Sequence, residues 1–365
     1  MSNESPLELT SSLFVCRTWH AIIVNDPTLW INIILNSKHS IDITSCLSPQ
    51  NDKLAQALSF YEACIRRSKS AFLKITIDLE SFSRWNDEDL DLTSLLSLFM
   101  ERIRGHASRW KEFVWKANGN ATGSHFKTQY FLNRLPQELP SLQQLTIIDL
   151  WDYLRYPDDR QFPTCPNLQT LSLIDSCDDL DRGEAAFFQQ SVFSSVKDLA
   201  LGSSWSWMDE HLRYMANFPN IHTLTLFSVG DDLSDECDIT PTSITLPHLR
   251  LLRLRGWIPS ELLSSVKPPC NLTVVVGHSK GTDSILSLSG TRIVAEMTIL
   301  HLELSNSTNL LSPSCVFELL KSAPCLEAVY LPPPMEASIR DTFELFKSNH
   351  GYSFSICTGE AQVLR

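Results

Sequence analysis

Residues 140–147 read Pro-Ser-Leu-Gln-Gln-Leu-Thr-Ile, and residues 166–173 repeat the phrase as Pro-Asn-Leu-Gln-Thr-Leu-Ser-Leu. The pattern is a proline followed by apolar residues spaced three and then two apart, with variable residues between them. It returns without the proline at Val196/Leu199/Leu201, and with it at Pro219-Asn-Ile221-His-Thr-Leu224-Thr-Leu226. A fifth copy keeps the spacing at Leu249/Leu252/Leu254. Weaker copies follow at Leu272/Val275, Ile299/Leu302/Leu304 and Leu326/Val329/Leu331, and others lie upstream at Phe72/Ile75/Ile77 and Trp110/Phe113/Trp115. The first apolar positions fall at 142, 168, 196, 221, 249, 272, 299 and 326, in steps of 23 to 28 residues.

The last two apolar residues of each phrase alternate with a variable one, the period of a short strand with one buried face. One such unit cannot bury that face alone, so near-constant repetition implies stacking on neighbours. The step lies within the range of about 20–29 residues typical of leucine-rich repeats. The expected fold is therefore α/β, a leucine-rich-repeat solenoid of short parallel strands with helical or irregular returns. Residues 209–217 and 316–322, each just ahead of a proline, are the clearest return helices. A mixed α/β domain that happens to hold many short strands is the alternative.

Composition agrees with stacking. The chain has 53 leucines in 365 residues but only 12 glycines. Nucleotide-cradling α/β folds place glycine where backbone meets phosphate, so this scarcity argues against them and no cofactor is expected. The net charge of −12 argues against nucleic acid as a partner, because phosphate binding needs clustered cations. The ten cysteines contain no C-x-x-C pair, and the N-terminus carries Glu4 and Glu8 where a secretory signal would be basic. Apolar runs such as 95–100 are far short of a membrane span. The expected location is cytoplasmic or nuclear, with no membrane partner.

Ahead of the repeats, Leu9, Leu13 and Cys16 recur at helical spacing, and Asp26-Pro27 opens a further short turn. Read without further context, this segment is a pair of small helices capping the array. The residues Val15-Cys16-Arg17-x-Trp19, Ile22 and Pro27-x-Leu29-Trp30 resemble the second half of an F-box as found in fungal F-box/leucine-rich-repeat proteins. Two later stretches resemble the same family: Cys64-Ile65-Arg66-Arg67-Ser68 leading into Phe72, and His106-Ala-Ser-Arg109-Trp110-Lys-Glu-Phe113. The resemblance implies a non-catalytic substrate receptor of a cullin–RING (Skp–cullin–F-box) ubiquitin ligase, docking on a Skp-type adaptor and recruiting an unknown protein through its repeats. Carried over, Leu9, Leu13, Val15, Trp19, Pro27, Leu29 and Trp30 would build the F-box helices and part of the adaptor face. The leucine-proline start of that motif is expected to be missing, since the chain begins after it. A repeat-only scaffold that no longer docks is the alternative.

One catalytic-looking motif stands out. Gly277-His-Ser279-Lys-Gly281 follows Val274-Val-Val276, in the form of a G-x-S-x-G nucleophile elbow after a strand, and Asp341 and His350 follow in hydrolase order. In that reading Ser279 attacks, His350 is the base and Asp341 orients it. However, the motif sits on the repeat ladder, where a glycine after a strand starts a loop, and no glycine-rich oxyanion loop precedes it. A non-enzyme is expected, with a serine hydrolase as the remote alternative.

If the strands line a binding face, its partner contacts come from the variable residues. The early repeats offer Gln144/Thr146 and Thr170/Ser172; the later ones offer Phe227, Arg253, Arg255, His301, Glu303 and Tyr330. Aromatic residues and arginine dominate interface energetics, so the anchor is expected in the later half. Trp205, Trp207 and Trp257 fall in loops after strands. Those loops also carry Asp152, Asp158-Asp159, Asp178-Asp179, Asp181 and the 231–236 acids, expected to form one negative edge. The expected organisation is a partial F-box-like segment at 1–35, a helical connector at 36–70, the solenoid at 71–350 and a tail at 351–365.

Overall fold

A computed structural model describes residues 17–36, 50–79, 81, 92–116, 134–148, 163–174, 191–203, 215, 218–228, 243–256, 258, 260–277, 288, 291–303, 313–331, 336–350 and 352–358. The chain forms two compact units, one of Met1–Leu173 with Asp179–Val192, the other of Ile174–Asp178 with Phe193–Arg365.

The first unit runs α1 (Arg17–Asn25), β1 (Asn32–Leu35), α2 (Gln50–Arg67), β2 (Leu73–Asp78), α3 (Leu92–Arg104), β3 (Trp110–Lys116), β4 (Gln144–Ile148) and all but the last residue of β5 (Thr170–Ile174). Its strands lie side by side in chain order, with parallel registers Ile33↔Ile75, Ile75↔Phe113 and Phe113↔Leu145. These residues, and Leu35, Ile77, Trp115 and Ile147 two positions on, are all buried. Opposite them, Tyr61 of α2 meets Phe99 of α3 edge to face at 4.8 Å, and its hydroxyl donates to the Ile34 carbonyl at 3.1 Å. The returns over the first rungs are thus helical.

The second unit runs β6 (Asp198–Ser203), β7 (Thr223–Ser228), β8 (Ile244–Thr245), β9 (Leu251–Arg255), α4 (Ser260–Ser265), β10 (Val266–Lys267), β11 (Leu272–Gly277), α5 (Arg292–Glu296), β12 (Met297–Glu303), α6 (Pro313–Lys321), β13 (Ala328–Leu331), α7 (Glu336–His350) and β14 (Ser355–Thr358). Seven strands pair in the order β6-β7-β9-β11-β12-β13-β14, all parallel, while β8 and β10 form a separate two-stranded pair. Leu199, Leu224, Leu252, Val274, Leu300, Val329 and Ile356 make one row. At the far end Phe317 of α6 stacks on Phe346 of α7 at 4.4 Å, and Phe346 stacks on Tyr352, so an aromatic cluster closes this unit.

The fold class is a leucine-rich-repeat-type solenoid, and the bonding explains the phrase. Its proline occupies the second position of a tight turn, where its fixed φ is already suited. The turn bond recurs as Leu142 N to Leu139 O, Leu168 N to Cys165 O, Ile221 N to Phe218 O, Leu249 N to Leu246 O and Leu326 N to Ala323 O. In two copies the asparagine after the proline ties rung to rung. Asn167 Nδ2 donates to the Pro140 carbonyl at 2.6 Å, and Asn220 Nδ2 donates to the Ser194 carbonyl at 2.7 Å. The carbonyls of Gln143, Lys197 and His222 each accept two successive N–H groups from the next rung. At these three entries the backbone donors are satisfied, as a stacked array requires.

Several expectations are corrected. Pairing begins at β1 and ends at β14, so strands lie outside the 71–350 span, within both the 1–35 segment and the 351–365 tail. Trp30/Ile33/Leu35 is itself a copy of the phrase, three then two apart and wholly buried. Two weak copies shift in register. The inward residues of β11 are Leu272, Val274 and Val276, and those of β12 are Met297, Leu300 and Leu302. A register shift beside Leu272 causes the first, and the apolar run Val274–Val276 conceals the alternation that would reveal it. At β2 a similar shift lets Leu73 take the first inward place and leaves Phe72 55% exposed. Helix α6 matches the expected return at 316–322; the 209–217 segment lies almost entirely outside the described residues.

Candidate functional site

Parallel pairing in the second unit puts Thr225, Arg253, Val275, His301, Tyr330 and Cys357 in one cross-strand row on the face opposite the leucines. A second row, one pleat further on, holds Phe227, Arg255, Gly277 and Glu303. Neighbouring strands stand about 4.8 Å apart, so each side chain meets its counterparts on both sides. Five of the expected contact residues therefore share two adjacent rows with His301, although they are spread over more than 100 positions in sequence.

Their exposure is uneven. Arg255 is exposed, while Phe227, Arg253 and Tyr330 are half-buried. The Arg255 guanidinium carbon lies 5.5 Å from the Phe227 ring centroid, a cation–π pair that holds the arginine over the β7 edge of the row. His301 is only 7% exposed and Val275 only 1%, so the centre of the row is closed. His301 is corrected from a surface contact to a buried side chain, its ring 5.9 Å from that of Tyr330. Of Glu303 only the backbone position is described, opposite Gly277. Desolvation, then the adjacent Cys357 thiol, raises the Tyr330 hydroxyl above its ordinary pKa, so it stays a hydrogen-bond donor at neutral pH. The early candidates Gln144, Thr146, Thr170 and Ser172 are half-buried on the equivalent face of the first unit.

The accessible part of the face combines two cations, a phenol and an aromatic ring, with Thr225 buried like His301; such groups suit acidic and aromatic groups on a protein surface. Cys357 and His301 are two strands apart with Tyr330 between them, about 9.6 Å by strand spacing and beyond nucleophile–base reach. Ser279 lies outside the described residues; Asp341 is exposed on α7, and His350 is that helix's last residue. Trp205, Trp207, Trp257 and the acidic loop residues also lie outside. Among the described residues no group of three or more His, Cys, Asp or Glu could hold a metal ion, and no helix is long and apolar enough to cross a membrane.

Of the adaptor candidates, Leu9, Leu13 and Val15 lie outside the described residues, and Trp19 falls within α1. Pro27 and Leu29 sit in the 3-10 turn Pro27–Trp30, which Asp26 caps by accepting from the Thr28 N–H at 2.9 Å. The Thr28 hydroxyl, and after it that backbone bond, lower the pKa of the Asp26 carboxyl from its ordinary value. Trp30 is completely buried and cannot touch a partner, so its adaptor role is corrected to a packing one. Its indole donates to the Ile23 carbonyl at 2.6 Å, and the Arg67 guanidinium carbon lies 4.4 Å from its ring centroid. Trp110 repeats this, donating to the Ile103 carbonyl seven residues back at 3.2 Å. The equivalence of Trp30 and Trp110 was the sequence signal for a repeat at the N-terminal end.

No protein-family model matches the chain, and no curated protein matches it significantly. Among solved structures it is similar to the leucine-rich repeat-containing protein LegL7 from Legionella pneumophila, at 15% identity and a TM-score of 0.34, over 83% of this chain and 82% of that one. It is also similar to a Bacteroides fragilis protein, at 12% identity and a TM-score of 0.31, over 80% of this chain and 66% of that one.

Proposed function

We propose that the chain is a non-catalytic protein-interaction module that captures a partner protein on the strand face of its second unit. The observation that carries this reading is the Phe227–Arg255 pair, an aromatic–cation contact between adjacent strands whose arginine is exposed. Arg253 and Tyr330 extend the same surface across β9 and β13.

The finer reading is that of a substrate receptor for a cullin–RING ubiquitin ligase, with α1 and the turn after it docking on a Skp-type adaptor in the cytoplasm or nucleus. Ile22 supports it: this large apolar side chain on α1 is 53% exposed, while its neighbour Ile23 is 2% exposed and packed inward. A docking helix needs one face committed to each side. The burial of Trp30 in the first rung supports the second reading, a repeat-only scaffold, because it gives part of the F-box-like motif a complete structural role. Co-purification separates them. The receptor reading expects a Skp-type adaptor to co-elute with the chain and to be lost from an Ile22→Glu variant. A chain that captures its partner protein but never the adaptor is the scaffold.

A further inference from the structure

The position three residues ahead of the first inward strand residue is apolar and buried almost throughout the array. Trp30, Trp110, Leu142, Leu168, Val196, Ile221, Leu249, Met297 and Leu326 fill it at 7% exposure or less. At β2 that position is Phe72, and the register shift after Leu73 turns it out to 55% exposure. The rung loses nothing, since Leu73 packs in its stead at 0%. An exposed phenylalanine here is thus dispensable to the core.

The turn presenting it is held rigid. Lys69 takes a left-handed backbone (φ 50°), and Arg109 bonds both Ser68 Oγ and the Ala71 carbonyl on either side of it. Three exposed cations lie on the elements that meet at this turn. Arg66 and Lys69 are exposed beside the turn, and Arg104 is exposed at the end of α3, whose last turn is joined to α2 by the Arg102–Glu62 ion pair at 3.1 Å. Of the nearby carboxylates, Glu62 is engaged by Arg102, Glu112 by Lys74 at 2.6 Å and Asp26 by Thr28, while Glu101 on α3 is exposed. Arg66 and Arg104 have no ion-pair partner among the described residues. Their places in last helical turns suit the helix dipole. Lys69 and Phe72 lie beyond the helix, where that account does not reach; the Lys69 ammonium donates one long bond, to the Asn25 carbonyl at 3.4 Å.

We propose that this turn, centred on Phe72 with Arg66, Lys69 and Arg104 exposed on the turn and the helix ends flanking it, docks a short acidic segment of a partner protein that carries one apolar anchor. Charge complementarity sets the sign of the occupant, and the net charge of −12 sets its length. A long polyanion is repelled by the rest of the molecule, whereas a segment within about one Debye length (~8 Å) feels mainly the local cations. The rigid turn removes much of the ordering cost that a mobile loop would impose on binding. This surface is in the first unit and does not rest on the binding face proposed for the second.

The test is fluorescence anisotropy on the full chain with two labelled peptides, Asp-Glu-Asp-Leu-Glu-Asp-Glu and the same peptide with alanine for leucine. The first should bind, the second about tenfold more weakly, and both less as salt rises from 50 to 200 mM. Phe72→Ala, which leaves the core intact, and Lys69→Glu should each weaken the first peptide about tenfold, with unchanged circular dichroism. Arg255→Glu should leave it unaffected. The proposal is overturned if neither peptide binds, if Phe72→Ala and Lys69→Glu bind as the parent does, or if a 20-nucleotide RNA binds more tightly than the leucine peptide.

Discussion

Arg109 donates from Nη2 to Ser68 Oγ at 2.6 Å and from Nε to the Ala71 carbonyl at 2.9 Å, tying the entry of β3 to the turn that follows α2. Ser68 is fully buried and its hydroxyl donates in turn to the Ile65 carbonyl at 2.7 Å, so the three groups form one chain. Desolvation lowers the Arg109 pKa, yet the guanidinium remains charged at any pH the fold survives. Hydrogen bonds from charged donors are worth about 1.5–3 kcal/mol. Arg109→Ala should therefore lower stability by about that much in urea unfolding. Because both groups belong to one network, the Arg109→Ala/Ser68→Ala double variant should lose clearly less than the sum of the single losses. Strict additivity would show that the contact carries no stability.

Trp30 separates packing from docking. Trp30→Ala should cost about 3–5 kcal/mol, in the range for a buried large aromatic, with Trp30→Phe costing much less. Adaptor capture by Trp30→Phe should match the parent, because the indole is sealed inside the first rung. A folded Trp30→Phe chain that loses the adaptor would put Trp30 on the docking surface after all.

The thiols divide by burial. Desolvation pushes Cys64 and Cys165 up to about 12, whereas Cys270 and Cys325 are exposed. Thiolate is the reactive form, so iodoacetamide at pH 8 should label Cys270 and Cys325 and spare Cys64 and Cys165 until the protein unfolds. The sign of the pH effect follows. A folded pKa raised above the unfolded value of about 9 gives stability that is complete below pH 9 and lost as pH climbs toward 12. Cys64→Ala should flatten that alkaline loss; an unchanged alkaline profile would contradict it.

The inward rows and the outward variable residues should respond differently. Leu252→Ala, within the second unit's leucine row, should cost about 2–5 kcal/mol. Arg255→Ala, exposed on the other face, should stay within about 1 kcal/mol, the scale of an exposed cation–π pair. Thermal melts on the two variants decide the matter.

The strong copies of the phrase could be read from spacing because alternation and a turn proline both mark them, as at Pro219–Leu226. The copies that escaped lack one mark. In β11 three consecutive valines erase the alternation, and at β12 the first inward residue is Met297, two positions ahead of the isoleucine that spacing favoured. The first rung was hidden because Trp30 also fits a different motif. Of the binding face, the residue types were legible but not their depth. Nothing in the residues flanking His301 shows that its side chain is buried beside the Tyr330 ring. Phe72 reads as core from spacing and lies outside it for one backbone reason, a register shift of a single residue.

The central claim is that the strand face of the second unit captures a protein partner. A photo-reactive phenylalanine analogue at Phe227 or Tyr330, with one at the exposed Glu318 of α6 as control, tests it in intact cells. The account predicts cross-links to the same partner protein from both strand positions and none from Glu318, with the Phe227 cross-link lost in an Arg253→Glu/Arg255→Glu background. Cross-links from Glu318 alone, or none from either strand position, would contradict it.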